Sequence, residues 1–492
     1  MVAVIDWMYR GAIGKAMDGQ IERGTTAYRR ANLALFIAGF VTFSTLYTFQ
    51  PLLPLLAVEF QVAPATASLA LSVATFALAW MLPVSGSFSD AHGRRVLMGS
   101  ALLLTSLLAV AAAMSQTLPT LLLVRLAQGA VLAGVPAVAM AYLNDEMSPR
   151  AIIAAMGLYI AGNACGGMSG RILTAFLADH LPWRGAVAAI GLLALALSIL
   201  FWLTLPPSRH FQPRPFRLAP LSASLVNHLR EPGLQCLYAL SFLLMGGFVT
   251  LYNYITFYLQ GAPYRLSQSA VALIFLAYAF GSCGSSIMGR VVGRFGRGPV
   301  LYAAVLIMAG GVLLTLLAPL YWIVSGIVVF TGGFFAAHAV ASAWIGSRTT
   351  TARAQASSLY LLAYYLGSSL AGTGGGFIWS LSGWTGVVML ILTLLLASLL
   401  VVRRLANLAP HCADRSEPTR SAQQMQAKMQ VEKLLERPDA FQRQPEPTQL
   451  SSAEPLQVDK VGRLAPGVKR LDLAAHPEIH QGAVTGFKIV RP

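Results

Sequence analysis

The chain is a succession of long apolar segments separated by short polar turns. A helix that crosses the hydrocarbon core of a bilayer needs about 20 apolar residues. Twelve segments fit that requirement, and we number them spans 1 to 12: 32–57, 68–88, 96–114, 119–142, 151–178, 185–205, 235–260, 269–289, 299–317, 321–345, 355–380 and 384–402. Their apolar residues are continuous rather than alternating, which argues against the strands of a membrane barrel. The pattern predicts an all-α membrane protein with twelve transmembrane helices.

The composition agrees with this pattern. Of 492 residues, 56% are hydrophobic and 11% are charged, whereas a soluble domain carries about 25% charged residues. Lys and Arg outnumber Asp and Glu by 35 to 19, which gives a net charge of +16. These basic residues occur in short loops and form no stripe interleaved with aromatics, so we expect a lipid bilayer as a partner and no nucleic acid.

The basic residues also predict the orientation of the chain. One side of the membrane has a large group of them beside the spans: Arg94, Arg95, Arg150, Arg209, Arg214, Arg217, Arg230, Arg290, Arg294, Arg297, Arg348, Arg353, Arg403 and Arg404. The loops on the other side contain little beyond Arg184 and Arg265. Because basic loops stay in the cytoplasm, we expect a multi-pass protein of the bacterial inner membrane with both termini cytoplasmic.

The chain divides into five predicted segments. They are a cytoplasmic N-terminal segment (1–31), a first six-helix bundle (32–206), a cytoplasmic linker (207–234), a second bundle (235–402) and a cytoplasmic tail (403–492). The first segment has scattered charges and no apolar core, which is unlike a cleavable signal peptide. The tail is rich in Gln, Pro, Glu, Lys and Ser, a composition typical of disorder. A regulatory or docking role is the alternative for the tail.

Two loops indicate an internal repeat. Segment 86–95 lies between spans 2 and 3, and segment 289–297 lies 203 residues later, between spans 8 and 9. The sequences are Gly86-x-x-x-Asp90-x-x-Gly93-Arg94-Arg95 and Gly289-x-x-x-Gly293-x-x-Gly296-Arg297. The same offset relates Arg150 to Arg353. The chain is therefore predicted to consist of two pseudo-symmetric six-helix bundles, the plan of alternating-access carriers.

The motifs at these positions resemble those of a known family. Segment 86–95 resembles the signature loop of the major facilitator superfamily, and Arg125-Leu-Ala-Gln128-Gly129 resembles its helix-four motif. Three further runs resemble the arabinose-efflux-like, YnfM-type branch of the drug:proton antiporter group: Tyr47-x-x-Gln50-Pro51-Leu-Leu-Pro54, Gly162-Asn163-x-x-Gly166-Gly167-Met-x-Gly170-Arg171 and Gly246-Gly247-Phe-Val-Thr-Leu-Tyr252-Asn253-Tyr254. The resemblance covers roughly residues 25–402 and implies the major-facilitator fold.

The resemblance implies a latch at the signature loop. Asp90 and Arg94 would hold span 2 against span 11 in the outward-facing state. The candidate latch and coupling residues are Gly86, Asp90, Gly93, Arg94, Arg95, Asp145 and Arg150. This sequence departs from the family pattern, since Ala91 replaces the usual basic residue and Gly293 replaces the carboxylate in the second copy. The alternative is a turn whose charges only determine topology.

Polar and aromatic residues inside the apolar spans are candidates for the substrate or proton pathway. Arg125 is the most informative, because a charge within a bilayer is costly unless it faces a polar interior or a partner. Snorkelling to the interface is the alternative. The full set is Tyr47, Gln50, Arg125, Gln128, Asn163, Arg171, Tyr252, Asn253, Tyr254, His338 and Tyr364. Each residue has packing as its alternative role, but the set favours a neutral or weakly polar organic solute over a small ion.

The coupling group is less clear from the sequence. No Asp or Glu lies in the middle of a span, and Glu59 and Asp179 lie near span ends. A coupling proton would therefore use Asp90, Glu59, His338 or the solute itself. Exporters of the antiporter group have a proline in span 5 where this chain has Asn163. That departure leaves the direction of transport open.

These patterns favour a secondary active transporter that moves a small organic solute, sugar-like or drug-like, across the inner membrane by alternating access and proton-coupled efflux. Proton-coupled uptake by symport is an alternative, and a membrane sensor that signals through its tail is an alternative from another class. The chain has no nucleophile–base motif, no metal-ligand spacing around its four cysteines and no Walker loop. We therefore expect no enzyme activity, no cofactor and no metal, and a monomer as the working unit.

Overall fold

The computed structural model describes residues 20–211, 225–285, 287–349 and 353–408, without the side chains of a few residues such as Asp90 and Arg353. The start of the N-terminal segment, the centre of the linker and nearly all of the predicted tail lie outside the described residues. Within these ranges the chain is helical, apart from turns and an isolated β-bridge between Ile21 and Met147. The prediction of an all-α membrane fold is confirmed.

The first half of the chain contains spans 1 to 6. Their helices are Thr26–Tyr47 with Leu53–Glu59, Pro64–His92, Arg94–Ala113, Leu118–Leu132 with Pro136–Glu146, Ile152–His180, and Trp183–Thr204. The predicted start at residue 32 is six residues late, and spans 1 and 4 are each divided into two helices.

The second half contains spans 7 to 12. Its helices are Pro232–Gln260 for span 7, Arg297–Leu314 for span 9 and Leu320–Arg348 for span 10. Span 8 consists of the short pieces Gln268–Ala272, Leu273–Leu276, Ala277–Ser285 and Met288–Phe295. Spans 11 and 12 lie within Arg353–Asn407 and are two helices that meet at Gly383, whose φ of 59° and ψ of −149° are not helical.

All twelve predicted spans therefore coincide with helical segments, although they differ in continuity. In the described ranges nine helices are long and apolar enough to cross a membrane, with 355–407 counted as one. Span 1 was predicted as one helix, and that prediction is wrong. Pro51 has no N–H to offer the Tyr47 carbonyl, and its ring crowds that carbonyl. The amide of Gln50 instead donates to Tyr47 over 3.0 Å, so the helix ends there.

Two sharp turns confirm the repeat. Gly93 ends span 2 with φ 97° and Gly296 ends span 8 with φ 82°. Both values lie in a region that residues with a Cβ rarely adopt. The two glycines are 203 residues apart, so the same strained turn recurs at the same place in each half.

The packing between helices repeats as well. A Cβ added at Gly162 of span 5 would collide with the carbonyl of Phe36 in span 1, and one at Gly367 of span 11 would collide with that of Phe242 in span 7. Small residues allow such backbone contact between membrane helices. Spans 1 and 5 of one half and spans 7 and 11 of the other therefore pack in the same way.

The two halves contact each other away from the basic loops. We call the end that carries Arg94, Arg150, Arg297 and Arg348 the basic end, and the other the opposite end. The described hydrogen bonds between the halves extend from mid-helix to the opposite end: Thr75–Ser369 (2.7 Å), Thr373–Ser72 (2.8 Å), Gln50–Asn253 (2.8 Å), and Gln268 and Ser269 amides to Asp179 (3.1 and 2.9 Å). Among the described residues, these bonds join the halves between mid-helix and the opposite end.

Candidate functional site

Arg125 lies in span 4 with no exposed surface. Its Nε donates to the carbonyl of Ala70 over 2.7 Å, and its Nη2 donates to that of Leu46 over 2.6 Å. Its Nη1 donates to Thr45 over 3.1 Å and to Gln128. The guanidinium is thereby engaged by carbonyls of spans 1 and 2, so the buried charge has the partners that it needs. Whether it also acts in transport stays a prediction.

The break in span 1 explains why a guanidinium fits at this place. The Gln50 amide would donate to Leu46 in a regular helix, but it donates to Tyr47. The Leu46 carbonyl is therefore left without its helical donor. A buried acceptor without a donor costs about 1–3 kcal/mol, and Arg125 supplies the missing hydrogen bond.

Gln128 and Gly129 complete the contact of span 4 with its neighbours. The Oε1 of Gln128 accepts from Arg125, and its Nε2 donates to the carbonyl of Thr105 in span 3 over 3.1 Å. A Cβ at Gly129 would collide with the carbonyl of Ala74 in span 2. The helix-four motif therefore joins four helices of the first half.

Arg171 of span 5 is the second buried arginine and is 2% exposed. Its Nε donates to Gln50 Oε1 over 2.6 Å, and its Nη1 donates to the carbonyl of Gly167. Its guanidinium carbon lies 3.8 Å from the ring centre of Tyr47. It also lies 5.1 and 4.9 Å from the ring centres of Phe275 and Tyr278, which belong to the other half. Arg171 thus sits at the contact between the halves.

Gln50 and Asn253 extend this contact. The Nε2 of Gln50 donates to Asn253 Oδ1 over 2.8 Å, and both residues are fully buried. The two residues are 203 residues apart, the offset of the repeat. Equivalent positions of the two halves therefore meet at the pseudo-twofold axis. We name Arg171, Gln50, Asn253, Tyr47, Phe275 and Tyr278 the axial cluster.

The second half adds further aromatic residues beside the axial cluster. Tyr252 shares a hydrogen bond of 2.7 Å with Thr331, and Tyr254 donates to the carbonyl of Gly372 over 2.6 Å. The Nδ1 of His338 lies 3.0 Å from the hydroxyl of Tyr360, and the ring of Tyr364 lies 5.0 Å from the His338 ring. The structure brings these predicted residues of spans 7, 10 and 11 to one side of the interface.

Sequence reasoning missed Phe275, Tyr278 and Tyr360. Tyr360 could have been found, because it precedes Tyr364 by one helical turn in span 11. Phe275 and Tyr278 have no such signal, since span 8 is divided into short pieces whose facing only the fold determines.

Asn163 lies apart from the axial cluster. It is eight residues, about two turns, before Arg171 on the helix Ile152–His180. Its side chain packs against Gly39 of span 1, where a Cβ would collide with its Oδ1. The structure therefore places Asn163 between spans 1 and 5.

The candidate latch residues assemble at the basic end. The Nε of Arg94 pairs with Asp145 over 3.1 Å, and its Nη1 donates to Ser89 over 3.0 Å. Arg95 donates to the carbonyl of Trp202 over 2.8 Å. The structure thus connects span 3 to spans 2, 4 and 6.

The other latch candidates are less engaged. Gly86 lies within the helix of span 2, with no atom close to a Cβ added there. Arg150 is exposed. The backbone of Asp90 belongs to the last turn of the helix Pro64–His92, and its side chain is outside the described part. The latch itself remains a prediction.

Glu59 at the opposite end is paired. It accepts a hydrogen bond from Arg184 over 2.6 Å, and this bond holds the pKa of the Glu59 carboxyl below its usual range. A carboxyl with a lowered pKa stays ionised at neutral pH. Glu59 is therefore a poor carrier for a coupling proton.

A membrane bundle that is built twice, with its polar and aromatic groups gathered where the halves meet, is the architecture of a secondary carrier. The profile of the Major Facilitator Superfamily matches residues 35–337 and 264–452. The chain belongs to this superfamily. It is a multi-pass membrane transporter for small solutes and not an enzyme.

Two of the relatives cover most of the chain, and a third covers about a third of it. It is 47% identical over 385 residues to the inner membrane transport protein YnfM of Escherichia coli (strain K12), covering 78% of this chain and 92% of that protein. It is 45% identical over 379 residues to the MFS-type transporter YybF of Bacillus subtilis (strain 168), covering 77% and 94%. A probable sugar efflux transporter of Helicobacter pylori (strain G27) is 28% identical over 171 residues, covering 35% and 42%.

Solved structures show the same fold. A point mutant of the nucleoside transporter NupG superimposes with a TM-score of 0.65 at 15% identity, covering 76% of this chain and 99% of that one. A bacterial homologue of the human lysosomal transporter Spinster, inward-facing and occupied, has a TM-score of 0.65 at 16% identity, covering 80% and 100%. At these identities the likeness concerns the fold alone.

Proposed function

We propose that this transporter exports a small organic solute from the cytoplasm in exchange for protons, by alternating access between its two bundles. The observation that carries the proposal is the Gln50–Asn253 hydrogen bond at the pseudo-twofold axis. Polar groups of both halves meet there, beside a buried cation and aromatic rings, at the interface that a rocking motion opens and closes. One chain supplies both halves, so a monomer suffices.

The names of the relatives support the proposed membrane and the proposed direction of transport. YnfM is named an inner membrane protein, and we place this chain in the same membrane with both termini cytoplasmic. The Helicobacter pylori relative is named a probable sugar efflux transporter, which supports export. With the basic end in the cytoplasm, the contacts between the halves close the periplasmic side, and the described conformation is inward-facing.

Uptake by symport is the second candidate function, and span 5 favours it. The helix Ile152–His180 is continuous, with Asn163 at the place of the exporter proline. In either direction, Glu59 is held ionised by Arg184, so we assign the coupling proton to Asp90, His338 or the solute itself.

The function is tested by screening solutes for altered toxicity in a deletion strain and an overexpressing strain. Export predicts greater sensitivity on deletion and greater resistance on overexpression. A solute that the screen identifies is then supplied in radiolabelled form to everted membrane vesicles. Accumulation that requires a vesicle lumen more acidic than the medium, and that a protonophore abolishes, supports proton-coupled export. Accumulation in right-side-out vesicles alone would establish uptake and overturn export.

The latch is tested by replacing Asp90 with Asn. The neutral amide weakens a charge-dependent contact that we assign to the outward-facing state, so the population should shift inward. The readout is a cysteine at Ala65, which packs against Gly376 of the other half at the opposite end, with the four native cysteines replaced by Ser. Its labelling by a membrane-impermeant maleimide from the periplasm should fall severalfold.

Arg230→Gln is the control for the latch experiment, because Arg230 is an exposed charge on the basic side with no part in the predicted latch. It should leave the labelling rate unchanged. Equal labelling rates for Asp90→Asn and the parent protein would argue against the latch.

A further inference from the structure

The hydrogen bonds of the axial cluster have a fixed polarity. A guanidinium can only donate, so the Gln50 oxygen must face Arg171, with 2.6 Å between Nε and Oε1. The Gln50 amide nitrogen then faces Asn253 and donates to its Oδ1 over 2.8 Å. Turning the Asn253 amide around would place two NH2 groups against each other. The series therefore has to end on the Nδ2 of Asn253, which is a donor.

That last donor is unmet. Asn253 is fully buried, and its Nδ2 has no hydrogen-bond partner among the described residues. A buried donor without an acceptor costs about 1–3 kcal/mol. The interface between the halves thus presents an N–H group that an acceptor from outside the chain can satisfy.

The charge of Arg171 is uncompensated as well. It is 2% exposed, and no carboxylate in the described part of the chain lies within salt-bridge distance of its guanidinium. The rings of Tyr47, Phe275 and Tyr278 offset part of the cost of burying the cation. The axial cluster is therefore positive and rich in donors, which favours an anionic solute over the neutral or weakly polar one expected from the sequence.

The place beside the unmet donor is narrow in the described conformation. A Cβ added at Gly372 of span 11 would lie 3.3 Å from Asn253 Nδ2 and 3.1 Å from Val249, closer than ordinary van der Waals contact, so a ligand group reaches Nδ2 only when the halves separate. The hydroxyl of Ser72 in span 2 is 3.9 Å from the same point. A small group at this place would touch spans 2, 7 and 11, and hence both halves.

We propose that the solute is an organic anion, whose carboxylate or similar small anionic group binds to Asn253 Nδ2 and replaces Gln50 at Arg171 when the halves separate. This inference rests on the proposed function, because it takes the axial cluster as the transport site. The aromatic rings contact the apolar remainder of the solute. Organic cations are excluded by the charge of Arg171, and neutral hydroxyl compounds bind less tightly, since hydrogen bonds to an ionised acceptor are the stronger ones.

The test compares three probes that differ only in charge: benzoate, benzyl alcohol and benzylamine. Affinities are measured with the purified full-length protein in lipid nanodiscs, from the shift in melting temperature as each probe is titrated. Benzoate should bind at least about tenfold more tightly than benzyl alcohol, and benzylamine should not bind. Equal affinities, a preference for benzylamine, or no binding by any probe would overturn the inference.

Two variants with matched controls locate the effect. Arg171→Gln should reduce the benzoate preference to about onefold, while Arg184→Gln, which removes a half-buried arginine that is paired with Glu59 and lies outside the axial cluster, should retain it. Gly372→Ala should weaken benzoate binding at least about tenfold, because its methyl group would crowd Asn253 Nδ2, the donor that the carboxylate needs. Gly374→Ala on the same helix meets nothing within 4 Å and should bind benzoate normally. If Arg171→Gln does not fold, the comparison of Gly372→Ala with Gly374→Ala tests the inference by itself.

Failure of this inference differs from failure of the proposed function. Binding does not require transport, so a protein that selects benzoate but moves no solute in vesicles contradicts export alone. A protein that exports solutes without discriminating among the probes contradicts the anion site alone.

Discussion

Replacing Arg125 by Ala is expected to reduce transport to background while the protein still inserts into the membrane. The variant loses the donors that serve the carbonyls of Ala70, Thr45 and Leu46. No backbone amide of the helix can replace Arg125 as the donor to the Leu46 carbonyl, because the Gln50 amide donates to Tyr47. We expect a loss of about 2–4 kcal/mol in stability, since each orphaned acceptor costs about 1–3 kcal/mol. The transport consequence follows because Gln50 lies at the break in span 1 that Arg125 holds.

The measurement is the transport rate per inserted protein, together with the melting temperature in detergent. Arg184→Ala is the control, because it removes an equally long cation from an exposed ion pair, and such pairs contribute about 0–1 kcal/mol. Arg125→Lys should recover little, since one ammonium cannot span carbonyls of two helices as the guanidinium fork does. Normal transport by Arg125→Ala would remove this residue from the mechanism.

Replacing Gly166 by Ala is expected to impair the transporter through packing alone. A Cβ at this position would collide with the carbonyl and Cα of Phe40 in span 1, and backbone atoms cannot move aside as a side-chain end does. Overpacking of this kind costs about 1–3 kcal/mol. Spans 1 and 5 carry Gln50 and Arg171, so forcing them apart also disturbs the axial cluster. Transport should fall severalfold, with a lower melting temperature.

Gly157→Ala is the matched control in the same helix. Nothing lies within 4 Å of a Cβ added at Gly157, and the residue is exposed. Because Ala is the better helix former by about 1 kcal/mol, this variant should be as stable as the parent protein or slightly more stable. Equal effects of the two substitutions would show that the contact with Phe40 does not matter.

Much of the fold could be predicted because membrane helices obey a strict rule. Backbone groups cannot be left unsatisfied in lipid, so long apolar runs must be helical. The repeat was equally accessible, since Gly93 and Gly296 are required by a backbone conformation that other residues avoid. Both predictions depend on local chemistry, and both are confirmed.

The continuity of the helices was harder to predict. Pro51 was visible in the sequence, but a proline either kinks or ends a membrane helix depending on which groups take over the freed carbonyls. Here Arg125, 79 residues beyond Leu46, takes over one of them. Gly383 likewise separates the helices of spans 11 and 12 by a single non-helical residue rather than by a longer loop.

In the candidate site, too, the sequence identified residues whose contacts only the fold determines. Arg125 and Arg171 both appeared as buried charges in apolar spans, and nothing in their sequence context separated their surroundings. Distances separate them: Arg125 is satisfied by carbonyls of its own half, while Arg171 faces aromatic rings of the other half.

By itself the sequence determined that this chain is a twice-repeated helical membrane transporter, and which residues are polar within its spans. It also contained the equivalence of positions 50 and 253. Only the tertiary structure decided that these two positions touch, that Arg171 orients the amide between them, and that Asn253 is left with an unmet donor. The physical reason is that hydrogen-bond polarity depends on distances of about 3 Å between residues far apart in the chain, and those distances arise only when the two halves pack against each other.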